Sequence, residues 1–574
     1  MYVDIVPNRT SPPAVLLREA YRKNGKSAKR TIGNISHLPM EDVLALKKFL
    51  GKKKEERREI LFDGMEFKIE RSLPHGHVKA VLGTLKKLGL DRMIYSRRCR
   101  ERDIIVALIV ERLIHPGSKL ATTRTWDSST LSEDLDLTDV GLDEVYSALA
   151  WLFNRKSRIE NKLAAFHLSE GGMALYDLSS SSYYGKTCSL ATFARGKKGR
   201  KKSIPCIAYG VMTDPDGRPV AVDTYPGKTG DPATVLDQAE KLQKQFGLSR
   251  VVFVADRGML TNSQIENLKK YPGIGWITAM KTFHLRGLVE SGDLQMSLFD
   301  DKNLAEISSP LYPGERLVAC FNPLLQRRRH AKRQDLIAAT EKELEKLERE
   351  VDSRTKKPLK KEEIGVKAGK KVSKYKVAKH FELKIGDGSF SWKRCEKTIE
   401  READLDGIYI IRTSEPKEDV SAEDIVRNYK RLTMVERVFR SMKGLDLLVQ
   451  PIYLSLEDHV TAHIFLCMLA YYIEWHLRQS LAPVLFEDEE LETARRTRDP
   501  VKPAEASDSA KKKKITKQSK DGMPLHSLST LLTDLGTLCS NRCRMDEFAA
   551  ANVTINRFTE ATPFQERVFQ LLDL

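Results

Sequence analysis

The sequence has no CxxC pair, and this absence argues against a structural zinc site. Its eight cysteines are scattered along 574 residues, and only Cys539 and Cys543 lie close together. Unpaired cysteines without a disulfide pattern fit a reducing, cytoplasmic setting. We interpret Cys539 and Cys543 as packing residues on one face of a predicted helix.

The sequence also lacks an apolar run long enough to span a bilayer. The most apolar stretch, HIFLCMLAYYIEWHL at residues 463–477, is too short and contains two histidines and a glutamate. We predict that it forms a buried core helix, and we assign no metal to His459, His463 or His476. The first residues, MYVDIVPNRT, lack the basic and then apolar layout of a signal peptide. We therefore expect no membrane partner.

Charge is unbalanced towards the positive. The formal net charge is +18, the pI is near 9.3, and 31% of residues are charged. Such a surplus favours a polyanionic partner, and nucleic acid is the obvious candidate. Two basic runs stand out, ARGKKGRKK at 194–202 and LQRRRHAKRQ at 325–334. Either they are solvated faces or they follow phosphates.

The length predicts several domains, because 574 residues exceed one ordinary core. We predict a multidomain α/β chain: a mixed-sheet core, an insertion that interrupts it, and helical regions towards both ends. The predicted parts are a small basic module (1–70), a helical, DNA-end-binding domain (71–168), the first part of the core (169–281), a β-rich and helical insertion (282–405), the second part of the core (406–480), a flexible linker (481–524) and a C-terminal helical region (525–574).

The core prediction depends on the order of elements between residues 171 and 281. Apolar runs and turn signals predict strand, strand, strand, helix, strand, helix, strand, with a hairpin turn at Asp214–Gly217. Hairpin-linked strands followed by β-α-β crossovers give a mixed sheet flanked by helices. GIYIIRTS at 407–414 resumes this pattern after the insertion.

Two aspartates occupy the positions where an α/β sheet concentrates its chemistry. Asp177 follows the apolar run of GMALYDLSS, and Asp256 follows that of VVFVADRG. If the two strands are neighbours, the carboxylates converge, and a hard divalent cation would relieve their repulsion. The alternative is structural: Asp177 caps a turn, and Asp256 pairs with Arg257.

A third acid, Glu436, lies in NYKRLTMVERVFRSMKG. If residues 429–443 form one helix, then Tyr429, Glu436, Arg440 and Lys443 share one stripe, opposite a packing face. A solvated ion pair between Glu436 and Arg440 is the simpler alternative. That alternative does not account for the tyrosine and the lysine.

These segments carry a resemblance to a known family. SLPHGHV, HPGSKLA, LYDLSSSSYYG, TYPGKTGDPATV, VADRGML, YKRLTMVERVFRSMK and HIFLCMLAYYIEWHLR together resemble the DDE transposases of bacterial insertion sequences. The similarity is to the branch with a Y-R-E-K signature and an RNase H-like core split by a β-rich insertion. The resemblance covers most of the chain and implies a cytoplasmic bacterial protein that joins the nucleoid when bound to DNA.

The resemblance implies catalytic and metal-binding roles for Asp177, Asp256 and Glu436, with two Mg²⁺ or Mn²⁺ ions. It implies cleavage at the terminal inverted repeats of double-stranded DNA and transfer of the freed ends into target DNA, in a synaptic complex of two subunits. Tyr429 and Lys443 match the ends of the signature. Its arginine position is Leu432 here, and we prefer Arg440 to Arg431 as the substitute that binds phosphate.

We add Arg257, Lys119 and Arg124 to the predicted DNA contacts, the last two from HPGSKLATTRTW. Trp276 and Trp392 are candidates for stacking on an unpaired base, although packing in the core is the simpler interpretation. Two other functions stay open. One is an RNase H-like nuclease that cleaves structured DNA without strand transfer, and the other is a non-catalytic DNA-binding protein derived from a transposase.

Overall fold

The structure is a computed structural model that describes residues 1–8, 12–23, 26–51, 67–194, 204–295, 299–300, 302–545 and 554–574. The chain forms two compact units. One comprises Met1–Leu73 with Leu538–Glu560, and the other comprises Pro74–Thr537 with Ala561–Leu574. The basic run at 194–202 lies outside the described residues, apart from Ala194.

The strands of the described residues, β1 to β16 in chain order, are Tyr2–Val6, Ala14–Lys23, Lys26–Asn34, Phe67–Pro74, Met173–Ser182, Cys206–Thr213, Pro219–Pro226, Val251–Ala255, Ile274–Ala279, Leu304–Ile307, Arg316–Phe321, Phe381–Gly386, Ser389–Arg394, Ile408–Thr413, Cys539–Met545 and Thr554–Phe558. The α-helices are Met40–Leu50, Gly76–Lys87, Leu90–Ile94, Arg100–Ile114, Lys119–Thr125, Leu131–Leu135, Leu142–Phe153, Lys156–His167, Val235–Glu240, Asn262–Leu268, Thr282–Glu290, Pro323–Asp352, Lys361–Lys374, Glu396–Ala403, Ala422–Lys430, Leu432–Lys443, Glu457–Ser480, Leu491–Thr497, Asp508–Thr516, Leu528–Leu535 and Pro563–Leu572.

An eight-stranded mixed sheet organises the larger unit. Its strand order is β10-β11-β14-β9-β8-β5-β6-β7. The pairs β5–β8 and β8–β9 are parallel, and the other neighbours are antiparallel. Helices separate β7 from β8 and β8 from β9, so the predicted order of strands and helices is confirmed. The result is a mixed α/β fold, consistent with an RNase H-like core.

The insertion contributes to this sheet instead of forming a wholly separate layer. β10 and β11 continue the sheet beyond β14, with β11 paired to β14 from Arg316 to Phe321. The burial of β11 on both faces explains why it joins the sheet, since it covers an edge that β14 would otherwise expose. The rest of the insertion has a core of its own, in which two helices, Pro323–Asp352 and Lys361–Lys374, pack on the β12–β13 hairpin.

Residues 481–524, for which we expected a flexible linker, contain two helices, Leu491–Thr497 and Asp508–Thr516. Lys513 is buried, and its ammonium donates hydrogen bonds to the carbonyls of Ala482 and Leu485. It also forms an ion pair with Glu489 at 2.8 Å. The segment has an acidic run, FEDEELE at 486–492, and a basic run, KKKKITKQSK at 511–520. These runs pair with each other through Glu489, whereas composition alone indicated an exposed segment.

The smaller unit contains two three-stranded sheets. β1, β2 and β3 pack against the helix Met40–Leu50 around Val3, Val15 and Val43, and the second sheet has the order β16-β15-β4. Cys539 and Cys543 lie in β15, a strand, where we expected a helix. The threonine and isoleucine content of β16 and its pairing with β15 outweigh the apolar spacing that indicated a helix.

The predicted core helix forms over Glu457–Ser480. It is buried from Val460 to Glu474 and contacts β7 and the helices Arg100–Ile114 and Leu142–Phe153. Within the described ranges, no helix is long and apolar enough to cross a membrane.

Candidate active site

The strands that carry the two aspartates are neighbours. β5 and β8 are parallel, with Tyr176 opposite Ala255, so the next residues along each strand are Asp177 and Asp256. Parallel neighbours at the same register project side chains to the same face, from backbones roughly 5 Å apart. We expected β5 to end at Asp177. It continues instead to Ser182, because β6 pairs with it as far as Ser182.

Asp177 is partly buried and responds to nearby negative charge. Burial raises its pKa to about 6, and the carboxylates of Asp256, Asp231 and Glu436 add to this rise. A hydrogen bond from the backbone of Leu178 opposes it. The three predicted acids are therefore close enough to interact electrostatically, although 259 positions separate Asp177 and Glu436 in the sequence.

Glu436 lies on the helix Leu432–Lys443, hereafter the Glu436 helix. Its packing face consists of Met434, Val435, Val438 and Met442, all buried, while Glu436 is exposed. This agrees with the amphipathic pattern of the sequence. The single helix that we expected over 429–443 is interrupted at Arg431, so Tyr429 belongs to the preceding helix, Ala422–Lys430.

Both ends of the predicted signature reach the acid-bearing strands. The hydroxyl of Tyr429 donates a hydrogen bond to Asp256 Oδ1 at 3.0 Å. The ammonium of Lys443 donates to the hydroxyl of Ser179, two residues after Asp177 on β5. Burial lowers the pKa of Lys443, and the charge of Asp177 acts in the opposite direction. Tyr429 and Lys443 thus hold the two helices against the strands.

A fourth acid, Asp231, lies beside the site. Gly258 lies between Asp231 and Asp256: a methyl group on Gly258 would lie 3.6 Å from Asp231 Oδ2 and 3.7 Å from Asp256 Oδ2. The Asp231–Pro232 pair predicts a helix that Asp231 caps, but in the structure Gly230 is the N-cap residue and Asp231 is the first residue of a short 3₁₀ helix. Nothing in the local sequence indicates that Asp231 lies beside the other acids, because its place there depends on how β7 and β8 are arranged.

The donor set fits a hard divalent cation. Burial and three neighbouring carboxylates raise the pKa of Asp177, and oxygen ligands of this kind select Mg²⁺ or Mn²⁺. Among the described residues, however, no three acidic, histidine or cysteine side chains are already arranged as a metal-binding cluster.

The candidate arginines differ in their surroundings. Arg431 is bound elsewhere, with hydrogen bonds to the carbonyl of Pro215 at 3.1 Å and to Glu492 at 3.4 Å. Arg440 is exposed and forms no side-chain hydrogen bond or ion pair with any residue that the structure describes. Arg257 is exposed next to Asp256 and lines a cavity of about 230 Å³.

The residues predicted from HPGSKLATTRTW also differ. Arg124 is exposed, as a phosphate contact requires. Lys119 is 6% exposed, and its ammonium lies 2.8 Å from Nδ1 of His463. Lys119 therefore does not present its charge on the open surface. Its burial depends on a helix more than 300 residues later, which the local sequence does not indicate.

The tryptophans are packing residues, in agreement with the simpler interpretation. Trp276 is 2% exposed in β9. Trp392 packs edge-on against Phe381, with ring centroids 5.8 Å apart. Two of the histidines also have packing roles: His459 stacks on Tyr146, and His476 packs between Tyr472 and Trp475.

Comparison with known proteins gives one family match. A family model described as a transposase DDE domain matches residues 186–473, which is half of the chain. The matched range contains Asp256 and Glu436 and begins shortly after Asp177. No curated protein matches the chain.

Proposed function

The chain belongs to the transposase DDE domain family, and from this premise we propose that it cuts DNA at the ends of a mobile element and transfers those ends into target DNA. The observation that supports this proposal most directly is the electrostatic contact of Asp177 with Asp256 and Glu436. Within the family, we assign the chain to the branch with the Y-R-E-K signature.

In the proposed mechanism Asp177, Asp256 and Glu436 would hold two divalent cations, as DDE transposases generally do. When bound, the cations would supply activation of a water or a 3′-hydroxyl for attack on phosphorus and stabilisation of the departing oxygen. The hydrogen bond from Tyr429 orients the Asp256 carboxylate. Lys443, held by Ser179, provides a positive charge beside Asp177 and the scissile phosphate.

Phosphates flanking the cut would contact exposed cations around the acids. Arg257 is adjacent to Asp256, and Arg440 is one helical turn beyond Glu436 with its guanidinium uncommitted among the described residues. Arg440 therefore suits the signature's arginine role better than Arg431, which is already bound. Arg124 is a further exposed contact.

The insertion offers a second DNA-facing surface. Within the run at 325–334, Arg327, Arg328 and Lys332 are exposed on the helix Pro323–Asp352. Arg333 is instead buried, in an ion pair with Asp406. The exposed members suit phosphates at an element end, and two copies of the chain would bring two ends together in a synaptic complex.

Replacing Asp256 by alanine tests this function. With Mg²⁺ and DNA that spans both flanks of the coding region, we expect end cleavage to fall by ~10³-fold or more, because the cation loses a ligand. The dissociation constant for the same DNA in EDTA should change by no more than about threefold, since phosphate contacts supply the affinity. Asp352→Ala, at an exposed position of the insertion, is the matched control and should retain full activity.

The assay follows cleavage and joining separately, so that it distinguishes the three candidate functions. Cleavage with transfer of the ends into a plasmid supports the transposase. Cleavage without joining supports the nuclease, and binding without cleavage by the unaltered protein supports a non-catalytic DNA-binding protein. Full activity of Asp256→Ala would refute the proposed site.

A further inference from the structure

A cleft outside the acid cluster has a cationic floor. It lies between the segment 117–120 and the segment 448–454, with a volume of about 230 Å³. Arg112, Lys119 and His463 line its inner part, and Tyr453 lies at its mouth, 60% exposed. No acidic residue lines it.

Arg112 in this cleft is buried without a partner. It is 4% exposed, and its Nε makes no hydrogen bond. Within the described part of the chain, the guanidinium has neither a hydrogen bond nor an ion pair. An arginine carries five N–H donors and keeps its charge at any physiological pH, so an unpaired buried guanidinium is costly.

Lys119 adds a second buried donor to the same cleft. The ring of His463 donates through Nε2 to the carbonyl of Val449 at 3.0 Å, which leaves Nδ1 to accept from Lys119 at 2.8 Å. One N–H of Lys119 is used in this way, and two remain. Burial lowers the pKa of Lys119, and the charge of Arg112 lowers it further. The charge of an anion in the cleft would oppose both effects on the pKa of Lys119.

We propose that this cleft binds a phosphate group, with Arg112 and Lys119 as the ligands and the Tyr453 rim beside the attached sugar or base. Phosphate suits the site because its oxygens accept several charge-assisted hydrogen bonds at once. A buried cation pair without a carboxylate needs such an anion. The phosphate belongs to the DNA backbone or to a free nucleotide.

The DNA source rests on the proposed transposase function. The cleft adjoins β5, since the backbone N–H of Ser182 donates to Gln450 Oε1 at 3.4 Å. Ser182 is five residues after Asp177, or roughly 17 Å along a strand. A phosphate bound there would belong to the same DNA molecule as the cut phosphate, about half a helical turn away, so the cleft would position DNA without taking part in the reaction.

Thermal unfolding with inorganic phosphate tests the site without DNA. At constant ionic strength, we expect phosphate to raise the Tm of the full chain by about 2 °C or more, because a ligand of the folded state stabilises it. Lys119→Met and Arg112→Met should lose this rise. Without phosphate, Arg112→Met should unfold at the same Tm as the unaltered protein or higher, since it removes an unpaired buried charge.

The control is Lys86→Met, an exposed lysine of the helix Gly76–Lys87, which should keep the phosphate response. An equal response to phosphate in the unaltered protein and in both cleft variants would overturn the proposal. So would the absence of a phosphate response in the unaltered protein, and a lower Tm of Arg112→Met in that case would make Arg112 purely structural.

Binding experiments with duplex DNA and with a deoxynucleoside monophosphate show whether the phosphate in the cleft comes from the DNA backbone or from a free nucleotide. In the uncleaving Asp256→Ala background, Lys119→Met should reduce the slope of log Kd against log salt by about one if the cleft holds a backbone phosphate. A Tm rise with the monophosphate and an unchanged DNA slope would assign the cleft to a free nucleotide. Because the Tm experiment needs no cleavage, its result does not depend on whether the chain is an active transposase.

Discussion

Among single residues, Asp177 shows how the fold prepares the site for a cation. Its pKa rises from 3.8 in a free side chain to about 6 here, first through burial and then through the carboxylates around it. A group with a raised pKa binds more protons in the folded state than in the unfolded state. The proton occupies the site at low pH, and a metal ion would have to displace it.

This shift predicts how stability depends on pH. The free energy of unfolding should fall as pH rises from about 4 to about 6, because the folded protein loses the proton that the unfolded chain has already lost. Asp177→Asn keeps a neutral side chain throughout. In metal-free buffer above pH 6 the variant should therefore be more stable than the unaltered protein, by roughly 3 kcal/mol, as measured by urea unfolding at several pH values.

The difference should shrink towards pH 4.5, and Asp352→Asn should not produce it. Added Mg²⁺ should reverse the order at pH 7.5, since only the unaltered protein has the charged ligand. Parallel pH curves for the unaltered protein and Asp177→Asn would contradict the burial and charge effects inferred at Asp177.

Sequence reasoning identified some residues of the site more readily than others. Asp256 stands out locally, since a carboxylate directly follows five buried apolar residues. Asp231 and Lys119 do not stand out, because their positions depend on distant segments. A short-range pattern reports which face a residue occupies but not what packs against that face.

At the scale of elements, the interruption at Arg431 has no strong local signal. Neither glycine nor proline occurs between Ser421 and Lys443, and the helical pattern continues through the break. At the break, the guanidinium of Arg431 hydrogen-bonds to Pro215 and Glu492 in other segments, which a local pattern does not report. Tyr429 nevertheless reaches Asp256, so the predicted stripe was right about the direction of the side chain and wrong about a single helix.

The insertion helix Pro323–Asp352 offers an element-scale prediction. Arg333 and Asp406 anchor it beside β14, at 7% and 5% exposure, with Nη1 to Oδ1 at 3.1 Å. Asp406→Asn leaves the guanidinium buried without its counter-charge, which should reduce the free energy of unfolding by about 3–5 kcal/mol. Urea unfolding measures the loss, and hydrogen exchange should place it in this helix.

Two controls separate the ion pair from surface charge. Glu345→Gln breaks an exposed pair with Arg349 on the same helix and should cost less than about 1 kcal/mol. The double variant Arg333→Met/Asp406→Leu removes both charges and should be more stable than Asp406→Asn alone. If Asp406→Asn costs no more than Glu345→Gln, the ion pair does not anchor the helix.

At the scale of the whole molecule, the sequence predicted the succession of strands and helices along the core but not the edges of the sheet. β5 to β9 follow one another in the chain, and short connections constrain how they pair. β10 and β11 join through β14, which comes more than 85 residues after β11. Residues 538–560 likewise form part of the unit that begins at Met1, a pairing that no local pattern specifies.

The last prediction concerns the net charge, which is a property of the whole molecule and not of one cluster of residues. Each phosphate neutralised by a lysine or arginine releases counterions, so log Kd depends on log salt with a slope near 0.9 per contact. A charge of +18, with exposed cations near the acids and on the insertion, should give at least about six contacts. The Kd of Asp256→Ala for end DNA in EDTA should then rise by about 10³-fold or more between 50 and 200 mM salt, as measured by fluorescence anisotropy. Acidic side chains repel DNA and cannot produce this slope, and a slope below about two would mean that the surplus charge lies away from the bound DNA.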